Sequence, residues 1–233
     1  MWHLAAYRAT TLFSLRPANA TVSGGKTLLV PTPFSLKMAL LDAAIRLHGK
    51  ARGKRWFQTI RDLSVAVLPP QHIVVNKTFV RIQRPNKGNK PQDNLGTGIE
   101  GILGSTIAYR EMAFYNGEIT LAFSDAPFFP DLLAQIHYLG KRGGFFQLTH
   151  LGQSENIPSD FTLLNGPEPE FLPVEGTLQL LDDCGTKMTF EHADIYADKN
   201  IRVGTHRLLN VVVLPMRVES EAHDFTLYRR TAG

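Results

Sequence analysis

This chain of 233 residues has a single cysteine, Cys184. One cysteine cannot close an internal disulfide, and alone it cannot furnish a thiolate metal site. The histidines do not supply one either. His3, His48, His72, His137, His150, His192, His206 and His223 are spaced so that none lies three to five residues from another, which excludes the common zinc spacings. There is no Walker loop and no dinucleotide fingerprint; Gly96-Thr97-Gly98 is an isolated fragment. No cofactor and no metal are expected. No apolar run approaches the ~18 residues that span a bilayer, so no membrane association is expected. Met1-Trp2-His3 opens without a basic segment leading into an apolar one, so a secretory signal is not expected and a cytoplasmic location is. Hydrophobic residues at 43% and charged residues at 20% exclude a disordered chain.

Acid is missing where base is dense. From Arg46 to Arg61 the chain holds Arg46, Lys50, Arg52, Lys54, Arg55 and Arg61 with no acid, and Trp56-Phe57 lies among them. From Lys77 to Lys90 it holds Lys77, Arg81, Arg84, Lys87 and Lys90, again with no acid. The overall charge of +4 conceals this segregation: residues 1–150 carry 18 Lys+Arg against 8 Asp+Glu, and residues 151–198 carry Lys187 against ten acids. Cations interleaved with planar rings suit single-stranded nucleic acid, which offers phosphates to the one and bases to the other. For Trp56 and Phe57 taken alone, burial in a core is the simpler reading. Asp182-Asp183-Cys184-Gly185 resembles a nucleophile or metal cluster, but Asp and Gly are turn residues and a turn is the preferred reading.

The pattern of elements predicts an α+β fold. Trp2 to Leu15 reads as a strand. Thr32 and Pro33 suit the N-cap and first position of an apolar helix that ends before Gly49. Lys50 to Arg61 is a second helix or a loop. Leu63 to Leu68 and Ile73 to Arg84 are expected strands, the latter with Val75, Lys77, Phe79, Arg81 and Gln83 on one side. Residues 85–104, rich in Pro, Gly, Asn and Lys, read as a mobile excursion. Thr106 to Phe114 and Glu118 to Phe123 look like a hairpin around Asn116-Gly117. Phe129 to Leu139 is expected to be helical, stopped by Gly140, with a strand from Phe145 to Leu148. Stripped of insertions the order is β-α-β-β-α-β, the ferredoxin-like arrangement. Short strands are expected at Leu178–Leu181, Lys187–Phe190, Leu208–Met216 and Phe225–Tyr228. The expected organisation is a core over 1–150, with an insertion at about 84–105, and a β-rich C-terminal appendage over 151–233 packed on it.

Several stretches resemble the Cas-five family, the RAMP subunit that caps the 5′ end of crRNA in type I CRISPR Cascade complexes. They are Phe13-Ser14-Leu15-Arg16 with Gly24-Gly25-Lys26, Val30 to Leu40, Ile107 to Gly117, and Phe225 to Arg230. The resemblance implies a ferredoxin-like (RRM/RAMP) core with an inserted β-hairpin thumb. It also implies binding of the crRNA 5′ handle, contact with the backbone RAMP subunit and the large subunit, and access to target DNA only through the complex. Together with the basic runs it points to Arg16, Lys26, Lys37, Arg46, Lys50, Arg52, Lys54, Arg55, Lys77, Arg81, Arg84, Lys87, Lys90, Tyr109 and Arg110 as RNA-binding residues. One subtype of the family cuts precursor crRNA with a tyrosine, a lysine and a histidine. Lys37 and His48 fall near the first helix, but no tyrosine lies within it, so no catalytic residue is expected. The alternatives are a metal-independent endoribonuclease of the same superfamily and an unrelated single-strand-binding module.

Overall fold

The first strand, β1 (Trp2–Ala9), buries Ala5 and Tyr7 in the core. Beyond it the chain leaves that sheet, so the strand expected through Leu15 stops early; Phe13 instead bridges to Ala113 in a second sheet. The computed structural model describes residues 1–20, 25–85, 103–124, 129–140, 143–166 and 175–231. Thr32 caps α1 (Pro33–His48) through Ser35 N–H to its Oγ1 at 3.1 Å, and Pro33 sits where a missing N–H costs nothing. Gly49, at φ +80°, ends the helix and lets α2 (Lys50–Arg61) start at once. The undecided segment is therefore helical. It buries Gly53, Phe57 and Ile60, one face at helical spacing.

The core sheet contains β1, β2 (Val65–Leu68), β5 (Glu118–Ser124), β6 (Phe146–Ser154) and the short β7 (Thr162–Leu163), in the order β6-β1-β5-β2-β7. All of its pairings are antiparallel. Counting only the core strands, fourth-first-third-second is the order a split β-α-β-β-α-β unit makes. The ferredoxin-like core is therefore present. The second helix of that unit, α3 (Phe129–Ala134), is shorter than expected. Its continuation is diverted because Tyr138 bridges to Phe145 and Phe146 N–H donates to His137 O at 2.9 Å. The buried side chains of the segment (Leu132, Leu133, Ile136, Leu139) are the expected ones, and Tyr7 Oη donates to Leu133 O at 2.8 Å to tie α3 to β1.

Between β2 and β5 the chain builds a long hairpin arm from β3 (His72–Pro85) and β4 (Leu103–Asn116), paired from His72↔Asn116 to Pro85↔Leu103. Fourteen residues of strand span about 45 Å. Asn116-Gly117 is consequently not a hairpin turn. β4 pairs with β3, and β5 pairs with β1 and β2. Gly117 at φ +110° and Pro69-Pro70 opposite form a bend that carries the chain from one sheet into the other. The register Val65↔Phe123 to Leu68↔Thr120 resumes beyond the bend as His72↔Asn116 without a slip. The local Asn-Gly signal lost to this longer pairing. The excursion's centre, residues 86–102, lies outside the described residues.

Past residue 150 the chain enters both sheets. β7 extends the core sheet, while β10 (Met216–Glu221) and β11 (Phe225–Arg230) add to the base of the arm in the order β10-β11-β3-β4. β8 (Thr177–Cys184) and β9 (Arg207–Leu214) pair as a separate ribbon. Lys187–Phe190 is not a strand: the short helix α4 (Phe190–Ala193) starts there, with a capping box in which Thr189 N–H donates to His192 Nδ1 at 3.0 Å. No helix among the described residues is long and apolar enough to cross a membrane.

Candidate nucleic-acid interface

A groove of about 820 Å³ opens between the start of α1, the segments 12–16 and 25–28, and one face of the arm. The arm contributes Val80, Ile82, Arg110 and Met112, and α1 contributes Phe34 and Met38. Arg16 and Lys26 stand on the same rim. Two acids also line the groove, but each has a cation within the chain. Asp42 accepts from Arg46 Nε at 2.8 Å, and the buried Asp182 accepts from Arg207 Nε at 2.5 Å. Arg207 in turn lies 4.2 Å from the Phe34 ring centroid, a geometry that stacks a guanidinium on an aromatic face. Arg16, Lys26 and Arg110 add three further cationic side chains to the lining.

Backbone bonds place those three cations. Phe13 N–H donates to Ala113 O at 3.1 Å, and Glu111 N–H donates to Gly25 O at 2.7 Å. Leu28 N–H donates to Leu15 O at 2.7 Å, and Leu15 N–H donates to Thr27 Oγ1 at 2.8 Å. Opposite Arg110 in the ladder stands Thr78, not an acid, and Arg110 Nη1 donates to Tyr109 O at 3.1 Å. The other face of the arm carries Lys77, Phe79 and Arg81, with Tyr109 opposite Phe79. The two rings meet edge to face at 5.4 Å, and Phe79 is 73% exposed. Phe79 is missing from the set read off the sequence, although strict alternation in β3 already placed it beside Lys77 and Arg81.

The remaining candidates divide. Lys37 is not a surface residue: it is 1% exposed, with Nζ donating to Asp183 at 2.7–2.8 Å and to Arg61 O at 2.7 Å. Asp183 also accepts from Asn165 Nδ2 and from Cys184 N–H, both at 2.7 Å. Asp182-Asp183-Cys184 is therefore no turn but the buried end of β8, because cations from distant segments satisfy both carboxylates. Burial pushes the Cys184 thiol up to about 12, ahead of the opposing effect of Lys37. A thiol held protonated is a poor nucleophile. Iodoacetamide at pH 8 is expected to leave Cys184 unmodified in the native protein and to label it fully in urea, as read by intact mass.

Along α2, Phe57 is core and Trp56 is half-buried, as the simpler reading had it. His48 meets the Trp56 ring at 5.2 Å, and the Arg52 guanidinium lies 5.6 Å from it. Lys50 pairs with Asp194 at 2.6 Å and Lys54 with Glu191 at 2.7 Å, so α2 docks its cations on the acidic α4 segment. The hydrogen bond from Lys54 holds the Glu191 carboxyl down at about 2. Arg52 and Arg55 are exposed. Lys87 and Lys90 lie outside the described residues, as does the side chain of Arg84. Lys37 and His48 stand at opposite ends of α1, one buried and one exposed, and do not form one site. Among the described residues, no three His, Cys, Asp or Glu side chains are placed to hold a metal.

No family model matches the chain. It is 28% identical over 148 residues to a CRISPR-associated protein Cas5 from Archaeoglobus fulgidus. Over that stretch the chain is similar to Cas5. The matched stretch covers 63% of this chain and 57% of that Cas5 protein's length, so it leaves over two fifths of that protein unmatched. A solved structure described as a CRISPR protein from the same organism aligns over 99% of this chain and 92% of its own, at 11% identity and a TM-score of 0.49.

Proposed function

We propose that this chain is a non-catalytic subunit of a type I Cascade complex that holds the 5′ handle of crRNA in the groove. In this reading the arm reaches the neighbouring backbone subunit, the large subunit sits beside the chain, and target DNA is met through the assembled complex. The observation that carries the reading is Arg110. It is a strand residue facing a concave, partly apolar surface, with a threonine rather than an acid opposite it and two further cations on the same rim. A planar guanidinium in that setting suits a phosphate or a base edge.

Co-expression with the host's CRISPR array and neighbouring subunits is expected to yield this chain with a processed crRNA bound; recovery without RNA would refute the proposal. Repeat RNA incubated with the isolated protein in EDTA is expected to stay intact. Cleavage there would favour the endoribonuclease alternative. Arg110→Lys keeps the charge but loses the fork, so handle affinity is expected to fall by about 1–3 kcal/mol with little change in Tm. Unchanged affinity with a lower Tm would make Arg110 structural. With about five phosphates neutralised, log K against log salt is expected to slope at roughly −3.5 for single strands.

A further inference from the structure

Lys26 is exposed, yet its backbone is held on both sides by one residue. Glu111 N–H donates to Gly25 O at 2.7 Å, and Glu111 Oε2 accepts from Thr27 N–H at 2.9 Å. The bond made by its main chain and the one made by its side chain therefore bracket Lys26. Strand alternation sends the Glu111 side chain to the face opposite Arg110. Consistent with this, neither Glu111 nor Thr27 lines the groove, whereas Lys26 and Arg110 do. On the reverse face the charge of Glu111, after burial itself, helps to push the Tyr228 phenol up. We infer that Glu111 is a positioning residue: an acid behind an RNA-binding groove that fixes the direction of Lys26 and so raises, rather than lowers, affinity for a polyanion. This inference rests on the groove being the RNA site.

The sign makes it testable. By charge alone, removing an acid from a basic surface strengthens RNA binding. If Glu111 positions Lys26, Glu111→Ala does the opposite. Binding of a labelled single-stranded RNA bearing the host's CRISPR repeat is expected to weaken about tenfold, and the slope of log K against log salt to flatten by about 1, because one phosphate contact is no longer made. Glu111→Gln keeps an acceptor for Thr27 N–H without the charge and is expected to restore wild-type affinity and slope. If Glu111→Ala does not fold, as judged by its melting curve, Glu111→Asp carries the test. It keeps the charge but falls a methylene short, and a similar flattening is expected. Affinity equal to or above wild type in the Ala or Asp variant, or equal losses in Ala and Gln, would overturn the inference. Lys26→Ala separates the two readings: if it changes neither affinity nor slope, the groove assignment fails first.

Discussion

Lys37→Ala is expected to destabilise the protein by about 3–5 kcal/mol, because it strands the Asp183 carboxylate in the interior. The pair is nearly sealed, with Lys37 1% and Asp183 10% exposed as side chains. Every polar atom around it is engaged. Nζ donates to Arg61 O as well as to Asp183, and Asn165 bridges Asp183 to Leu63 O and Val65 N–H. The network joins α1, the end of α2, β2 and β8, so its loss would loosen the contact between the ferredoxin-like core and the β8–β9 ribbon. Urea denaturation monitored by far-UV circular dichroism reads the shift in midpoint. Lys37→Met combined with Asp183→Asn neutralises both partners and is expected to recover most of the loss, since a buried ion pair adds little over a neutral replacement. RNA affinity of the folded variant is expected to match wild type. A stable Lys37→Ala protein with weakened RNA binding would return Lys37 to the binding surface.

The second large effect is expected at Gly25. A Cβ built there would lie 1.9 Å from Tyr109 O and 2.8 Å from Arg110 Cα. The obstruction is backbone, so no rotamer change relieves it. Gly25→Ala must push the 25–28 segment off β4, breaking the bond from Glu111 N–H to Gly25 O. The expected cost is about 3 kcal/mol, the upper end for overpacking, because neither surface can yield. Lys26 is displaced with it, so RNA affinity is expected to fall alongside stability. Gly49→Ala is the control: its φ of +80° is strained for alanine, but nothing lies within 4 Å. A loss of about 1–2 kcal/mol with unaltered RNA binding is expected there. Equal RNA affinity for Gly25→Ala and wild type would show that the docked position of 25–28 is irrelevant to the groove.

What the sequence determined by itself was the local grammar and the order of elements. Thr32-Pro33 and Gly49 delimit α1 through capping chemistry that acts within four residues, and the alternation of β3 places Lys77, Phe79 and Arg81 on one face. The β-α-β-β-α-β order followed from those local signals, and with it the core. Residues 107–117 and 13–16 carried the family resemblance as plain text. Tertiary structure alone decided which charges face water. Lys37 sits in an apolar helix whose one acid, Asp42, pairs with Arg46, and its own partner lies 146 residues away; Lys50 and Lys54 likewise find Asp194 and Glu191. Charge pairing acts through space, so a run of cations looks unpaired until the fold returns the acids to it. The same reason moved Asp182-Asp183 from an expected turn into a buried strand end, whereas Asn116-Gly117 was overridden by the long backbone register of β3 with β4. The groove itself was hidden because Arg16, Lys26 and Arg110 lie on segments from three parts of the chain, which main-chain hydrogen bonds and the side chains of Thr27 and Glu111 lace together.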